Sequence, residues 1–318
     1  GVPVRVADHD QKFMRMTSDG AGGAILAWDD SRDSSFVREI YAQRMNSNGL
    51  AMWTPNGVLL CGVAGEKRFP VIASDGAGGA IVAWDDTRNI ENGYFVSDVY
   101  AQRVNAAGGV LWALDGVPVS AAVADQKRPA ITSDGAGGAI IAWGDSRSAP
   151  FPGPDLYAQR INASGAVQWL TDGVPVYSNA TGLTADYLTL DLVSDGAGGA
   201  IVSWEDFGLA STIYAQQVNG AGGLWPGGGA ALSTPAIGDY NPKIVSDGAG
   251  GAIVTWEDRR NGSLDIWASI ANGNTPAGAN SVVFPRDVTT GGTPVMVTFD
   301  NAGAGSTSLV TTPGGPAL

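Results

Sequence analysis

Ser133-Asp-Gly-Ala-Gly-Gly-Ala-Ile-Ile-Ala-Trp-Gly-Asp-Ser-Arg147 recurs in near-copies that begin at Ser18, Ser74, Ser194 and Ser246. The aspartates Asp19, Asp75, Asp134, Asp195 and Asp247 follow at intervals of 52 to 61 residues. A repeat that cannot bury its own apolar face must stack on its neighbours. A unit of this length suits a four-stranded propeller blade better than a solenoid coil. The Ser-Asp-Gly-Ala-Gly-Gly run is a hairpin, since glycine accepts positive φ and the Asp bonds its own turn. The segment after it is apolar in each copy, as in Ile81-Val-Ala-Trp84 and Ile201-Val-Ser-Trp204. That pattern belongs to a strand covered on both faces.

The third repeat shows the full unit: Arg128–Thr132, Ala139–Trp143, Asp155–Ile161, and Val167 running to Val176. Five such units across 318 residues predict an all-β chain, a five-bladed β-propeller of four-stranded blades over residues 1–274. Gly1-Val-Pro-Val4 matches Gly116-Val-Pro-Val119 and Gly173-Val-Pro-Val176, which end the second and third repeats. The N-terminus is therefore expected to add as the outer strand of blade five and close the ring, removing two exposed edges. Residues 275–318 form a Gly/Pro/Thr-rich extended tail, a linker or the beginning of an immunoglobulin-like domain. Its alternating Val295–Phe299 predicts a strand that docks on the propeller or is donated to a second copy, giving self-association.

A formal charge of −13 argues against nucleic acid and anionic membrane as partners. No apolar run approaches the roughly 18 residues of a membrane span. Cys61, the single cysteine, excludes an intramolecular disulfide and sits in an apolar strand as an inert buried thiol. With 46 glycines, little lysine and an acidic balance, the chain is expected to be extracellular or at the cell surface. No helix or Gly-Lys-Ser/Thr follows the glycine runs, so they are not phosphate loops.

With Ser-Asp-Gly-Ala-Gly-Gly, Trp143-x-Asp-x-Arg147, Tyr157-Ala-Gln-Arg160 and an Asn-x-x-Gly turn, the chain resembles the repeats of secreted bacterial β-propeller proteins. Such repeats are often fused to immunoglobulin-like or cell-surface modules. The tail, with Val297-Thr-Phe-Asp-Asn301, resembles the opening of a bacterial immunoglobulin-like domain. The Ser-x-Asp-x-Gly-x-x-Trp spacing of sialidase-type propellers is reproduced by no copy here.

Asp10, Glu66, Asp125 and Asp186 stand eight residues before their signature serines, and Asp239 stands seven before. They put five acids at the entrance to the innermost strands. No cofactor is required by the sequence, but Ca²⁺ is the cation that such a ring of oxygen ligands would take. A solvated rim balanced by Lys12, Lys67, Arg68 and Lys127 is the alternative. In the loops between second and third strands, Arg32, Arg88, Arg147 and Arg260 are expected to pair with Glu39, Asp98, Asp155 and Asp265 across the hairpin base. Phe36, Tyr94, Phe95 and Phe151 in those loops are the candidate binding residues, for a protein or glycan at the cell surface. His9 is the only histidine, so no triad or zinc cluster is indicated, and no catalytic residue is assigned. The leading expectation is a non-enzymatic extracellular structural or adhesive module, a subunit of a surface assembly or filament. The alternative is a carbohydrate-active enzyme that uses carboxylates at the channel mouth.

Overall fold

The computed structural model describes all residues except 7–8, 33–36, 149–154, 179–188, 207–210, 227, 234–237, 261, 273–280 and 284–318. Phe36, Phe151, Asp186 and the strand expected at Val295–Phe299 lie outside the described residues. The chain divides into two compact units, Gly1–Val282 and Val283–Leu318.

Every described element is a strand, grouped into five four-stranded antiparallel sheets. Blade one comprises β1 (Gln11–Ser18), β2 (Ala24–Asp30), β3 (Glu39–Met45) and β4 (Val58–Cys61). Blade two has β5 (Lys67–Ser74), β6 (Ala80–Glu91), β7 (Tyr94–Val104) and β8 (Val117–Ser120). Blade three has β9 (Gln126–Ser133), β10 (Ala139–Asp145), β11 (Asp155–Ile161) and β12 (Val174–Tyr177). Blade four follows with β13 (Leu190–Ser194), β14 (Ala200–Asp206), β15 (Thr212–Val218) and β16 (Ala230–Ala231), and blade five with β17 (Asp239–Ser246), β18 (Ala252–Asp258), β19 (Asp265–Ala271) and β20 (Ser281–Val283). Each sheet meanders in chain order, and the first strands of successive blades lie beside one another as the inner wall. This is the propeller arrangement that the repeat implies.

The second strand of each blade explains the stacking. Its alternate residues face opposite neighbours. Ile25 and Ala27 meet Ala80, Val82 and Trp84 of the next blade. Ile81 and Ala83 likewise meet Ala139, Ile141 and Trp143, and Ile140 and Ala142 meet Ala200, Val202 and Trp204. At the end of the molecule that carries the Asp-Gly hairpins, Trp53 Nε1 donates to Ala106 O of blade two at 3.0 Å, and Trp112 Nε1 donates to Ala163 O of blade three at 3.1 Å. These repeated tryptophans are inter-blade clamps.

Two expectations are corrected. The outer strand of blade five is β20, not the N-terminus, and Gly1–Val6 forms no ladder. Four residues of Gly-Val-Pro-Val specify a shape that any open third strand accepts, so a nearer segment takes the edge. The N-terminus lies on blade one instead. Val2 touches the position where a Cβ on Gly49 would sit, and the equivalent Gly108 and Gly165 are met there by Trp53 and Trp112 of the preceding blade. Val4 faces Trp28 and Leu26. The segment thus covers the face that blades two to four present to the blade before them. Deleting residues 1–6 is expected to cost about 1–2 kcal/mol of stability, from the apolar area uncovered. An unchanged melting temperature would contradict this packing.

The loop arginines are the second correction. Arg88 and Arg147 pair at 2.5 Å with Asp86 and Asp145, two residues earlier, and their guanidiniums lie over Tyr100 and Tyr157. Asp98 accepts from Asn89 Nδ2 at 2.6 Å instead. A side chain two residues away needs less ordering than one across a loop.

Candidate functional site

The strand ends opposite the Asp-Gly hairpins gather the starts of the inner strands, the ends of the second strands, and the loops between second and third strands. The inner strands of blades one, two, three and five carry a bulge there, and Phe13, Phe69, Arg128 and Asn241 adopt φ of 52°, 54°, 58° and 54°. Positive φ at non-glycine residues costs energy that surrounding structure must offset, and such positions cluster at functional sites. Phe69 meets Phe13 of the preceding blade with ring centroids 4.6 Å apart, and the Arg128 guanidinium lies 3.8 Å from the Phe69 centroid. Three blades therefore converge on one aromatic–cation stack.

At the same end, buried carboxylates occupy one repeat position, next after the second-strand tryptophan: Asp29, Asp85 and Glu205. Asp85 Oδ1 accepts from Arg128 N at 2.9 Å, so the acid fastens the bulge of the next blade. Glu205 does the same for Asn241 N at 3.3 Å, and Thr189 Oγ1 donates to the same oxygen at 3.1 Å. Glu205 differs in its second oxygen. Oε1 is buried without a well-formed hydrogen bond, the Ser211 hydroxyl being a weaker neighbour. Burial pushes Glu205 up to about 7, Asp85 to about 7 and Asp29 to about 6, in the last case against the opposing charge of Arg38.

One acid at this end has no counterpart in the other repeats. Asp191 occupies a position filled elsewhere by Arg15, Val71, Ala130 and Lys243. It stands opposite Ser203, while Glu205 stands opposite Thr189, two residues along on both strands. Residues two apart share a face, so Asp191 and Glu205 are diagonal neighbours, at a Cβ separation of roughly 7 Å. Both reach β17: Asp191 comes within 3.8 Å of Lys243 Nζ. Burial raises Asp191 above the usual carboxylate range, and Lys243 opposes that. The repeat alignment drew attention to recurrent acids, whereas the signal for Asp191 is that it does not recur.

Among the described residues the expected acids are not gathered into one ring. Asp10, Glu66 and Asp125, each just before an inner strand, pair with the cation two residues on: Lys12 at 2.5 Å, Arg68 at 2.6 Å and Lys127 at 2.7 Å. Asp239 is fully buried beside Asp258 and Arg260. Among the described residues no group of three or more His, Cys, Asp or Glu side chains is placed to hold a metal ion. Tyr94 and Phe95, in contrast, stand 76% and 70% exposed at the tip of the β6–β7 hairpin, whose Asn92-Gly93 turn has positive φ at both residues. Glu91 Oε2 and Asp125 Oδ1 accept from Ala124 N and Ser97 N, which ties this hairpin to the loop entering blade three.

These raised acids set the pH dependence of stability. A carboxyl whose folded value lies above its unfolded value binds protons more tightly in the native state, so stability falls as pH rises from about 4 to about 7. Asp30 works in the opposite sense: against burial, Arg32 and Trp28 hold it low, and its contribution is lost as pH falls below about 4. The melting temperature is expected to peak near about pH 5 and decline toward pH 8. Calorimetric scans that rise steadily to pH 8 would contradict the assignment.

No protein-family model and no curated protein matches the chain. Solved structures do. A protein of unknown function from Dyadobacter fermentans is 14% identical with a TM-score of 0.51, over 86% of this chain and 81% of that one, and shows the shared fold. The Hadza microbial sialidase Hz136 is 11% identical, with a TM-score of 0.47 over 85% of this chain and 57% of its own. The α-L-arabinanase of Penicillium chrysogenum, solved with arabinobiose, is 14% identical, with a TM-score of 0.43 over 79% and 72%. Other similar structures are those of an endo-arabinase, a polysaccharide lyase and an α-L-arabinofuranosidase, and the expectation of a non-enzymatic adhesive module is corrected on these neighbours.

Proposed function

We propose that the chain is a carbohydrate-active propeller that cleaves a glycan at the seam between blades four and five, with Glu205 and Asp191 as the reacting pair. The observation that carries this reading is the buried Oε1 of Glu205, which has only the weaker Ser211 neighbour, on a carboxyl pushed up to about 7 and diagonal to a second carboxylate. Glycoside cleavage needs a protonated carboxyl to donate to the leaving oxygen and an ionised one facing the positive charge at the sugar carbon. Glu205 holds the proton near neutral pH. Asp191, beside Lys243 and about one-third exposed, supplies the negative charge. Thr189 and Asn241 fix the orientation of Glu205 through Oε2.

Tyr94 and Phe95, at the same end, are a stacking surface for sugar faces arriving at the mouth. The five sheets are read as a complete five-bladed ring, with the N-terminal segment packed on blade one. A polymeric glycan substrate suits an acidic protein placed outside the cell, and among the described residues no helix is long and apolar enough to cross a membrane. The test is reducing-end release from a broad polysaccharide panel between about pH 4 and 9. Activity that declines above about pH 7, as Glu205 loses its proton, supports the reading; no release from any polysaccharide contradicts it.

A further inference from the structure

A cavity of about 290 Å³ lies between the N-terminal segment and the inner strand of blade one, beside the axial stack. Its walls are chemically unlike the rest of this acidic chain. Arg5, Gln11 and Lys12 supply the polar groups, Lys12 being paired with Asp10 at 2.5 Å, Phe13 and Trp28 supply the aromatic ones, and among the described residues no carboxylate is in the lining. The Arg5 Nε–H is buried without an acceptor. At the equivalent place, at the end of the outer strand or just beyond it, the other blades carry Cys61, Ser120, Tyr177 and Ser233. There Cys61 and Ser120 lie 3.2 Å from Arg88 Nη2 and Arg147 Nη2 of the next blade, and the Tyr177 hydroxyl donates to Asp206 at 2.8 Å. Arg5 therefore replaces a small or hydroxylic partner of the next blade with a cation that has a buried donor to spare.

We propose that this cavity is a subsite for an acidic sugar, with Arg5 binding the sugar carboxylate and Lys12 assisting. A guanidinium presents two parallel N–H donors to a carboxylate, and a buried donor without an acceptor favours a ligand that provides one. The volume is on the order of one monosaccharide residue, and Phe13 and Trp28 offer ring faces to its apolar side. The sugar would thus sit next to Phe13, whose ring continues through Phe69 to Arg128 along the mouth. This inference rests on the carbohydrate reading above and narrows it to uronate-containing chains.

The test is calorimetric titration with uronic acid oligosaccharides as free acids and as their methyl esters, which differ only in the carboxylate charge. The wild-type protein is expected to bind at least one free-acid oligosaccharide about tenfold or more tighter than its ester. Arg5→Gln should reduce that preference to within about twofold, and Lys12→Gln should reduce it partly. Neither side chain supports the core, so both variants should fold with unchanged circular dichroism. Equal wild-type affinity for acid and ester, or a preference that survives in Arg5→Gln, overturns the subsite and leaves the cleavage reading standing. Failure to bind or cleave any glycan, charged or neutral, overturns both.

Discussion

Glu205→Gln should lower the rate of glycan cleavage at least about 100-fold, the scale of losing a general acid. Glutamine keeps the shape of the side chain and an oxygen that accepts from Asn241 N and Thr189 Oγ1, but it cannot give up a proton. The fold should not suffer. Burial disfavours the ionised carboxylate, so a neutral amide should leave the melting temperature at pH 8 equal to or above the wild-type value. Asp191→Asn should lose activity on a similar scale, through the charge facing the reacting carbon. Asp85→Asn changes an acid of equal elevation that fastens the Arg128 bulge, and cleavage should survive there. Equal loss in all three variants would mean a general weakening of the mouth, and no loss in Glu205→Gln would remove it from the chemistry.

Trp143→Ala should unfold the protein at much lower denaturant, by about 3–5 kcal/mol. The indole is completely buried, packs in one cluster with Ile81 and Ala83 of blade two, and donates from Nε1 to Asp145 Oδ2 at 2.8 Å. Gly173 lies so close that a Cβ there would sit 2.6 Å from the ring, so the pocket has little freedom to collapse once the ring is removed. Asp145 keeps Arg147, and the cost is therefore mainly cavity and lost contact. A measured change below about 1.5 kcal/mol would show that the second-strand tryptophans are not the inter-blade core.

Much of this architecture is legible in the repeat. The Asp-Gly hairpin requires an acid that bonds its own turn, and Asp134 Oδ1 accepts from both Ala136 N and Gly138 N at 2.8 Å. The apolar second strand requires two covering faces, and it has them. Hidden from the repeat was the use of charge. Arg160, read simply as part of the third strand, reaches back to Asp134 at 2.9 Å, which links the hairpin to the far strand. The loop arginines took the nearest aspartate, since sequence shows which charges are available and not which is cheapest to order. Gly1-Val-Pro-Val4 matches the outer-strand segments in sequence but forms no strand, because pairing depends on which edge is free, and Ser281–Val283 holds that edge.

The candidate site was less legible for a related reason. Acids that recur, such as Asp10, Glu66 and Asp125, recur with a cation two residues later and neutralise themselves. Asp191 and Arg5 are visible only as departures from the pattern, and a departure gains meaning once its neighbours in space are known. Asp191 needs Glu205 across the strand pair, and Arg5 needs the cavity that the N-terminus makes on blade one.

The account is tested most directly by a crystal structure of Glu205→Gln with an oligosaccharide that the wild-type protein cleaves. The scissile linkage should lie at the blade four–five seam, with its bridging oxygen within hydrogen-bond reach of the residue 205 side chain and the adjoining sugar carbon facing Asp191. A substrate seated elsewhere, or one whose scissile oxygen lies out of reach of residue 205, would contradict it.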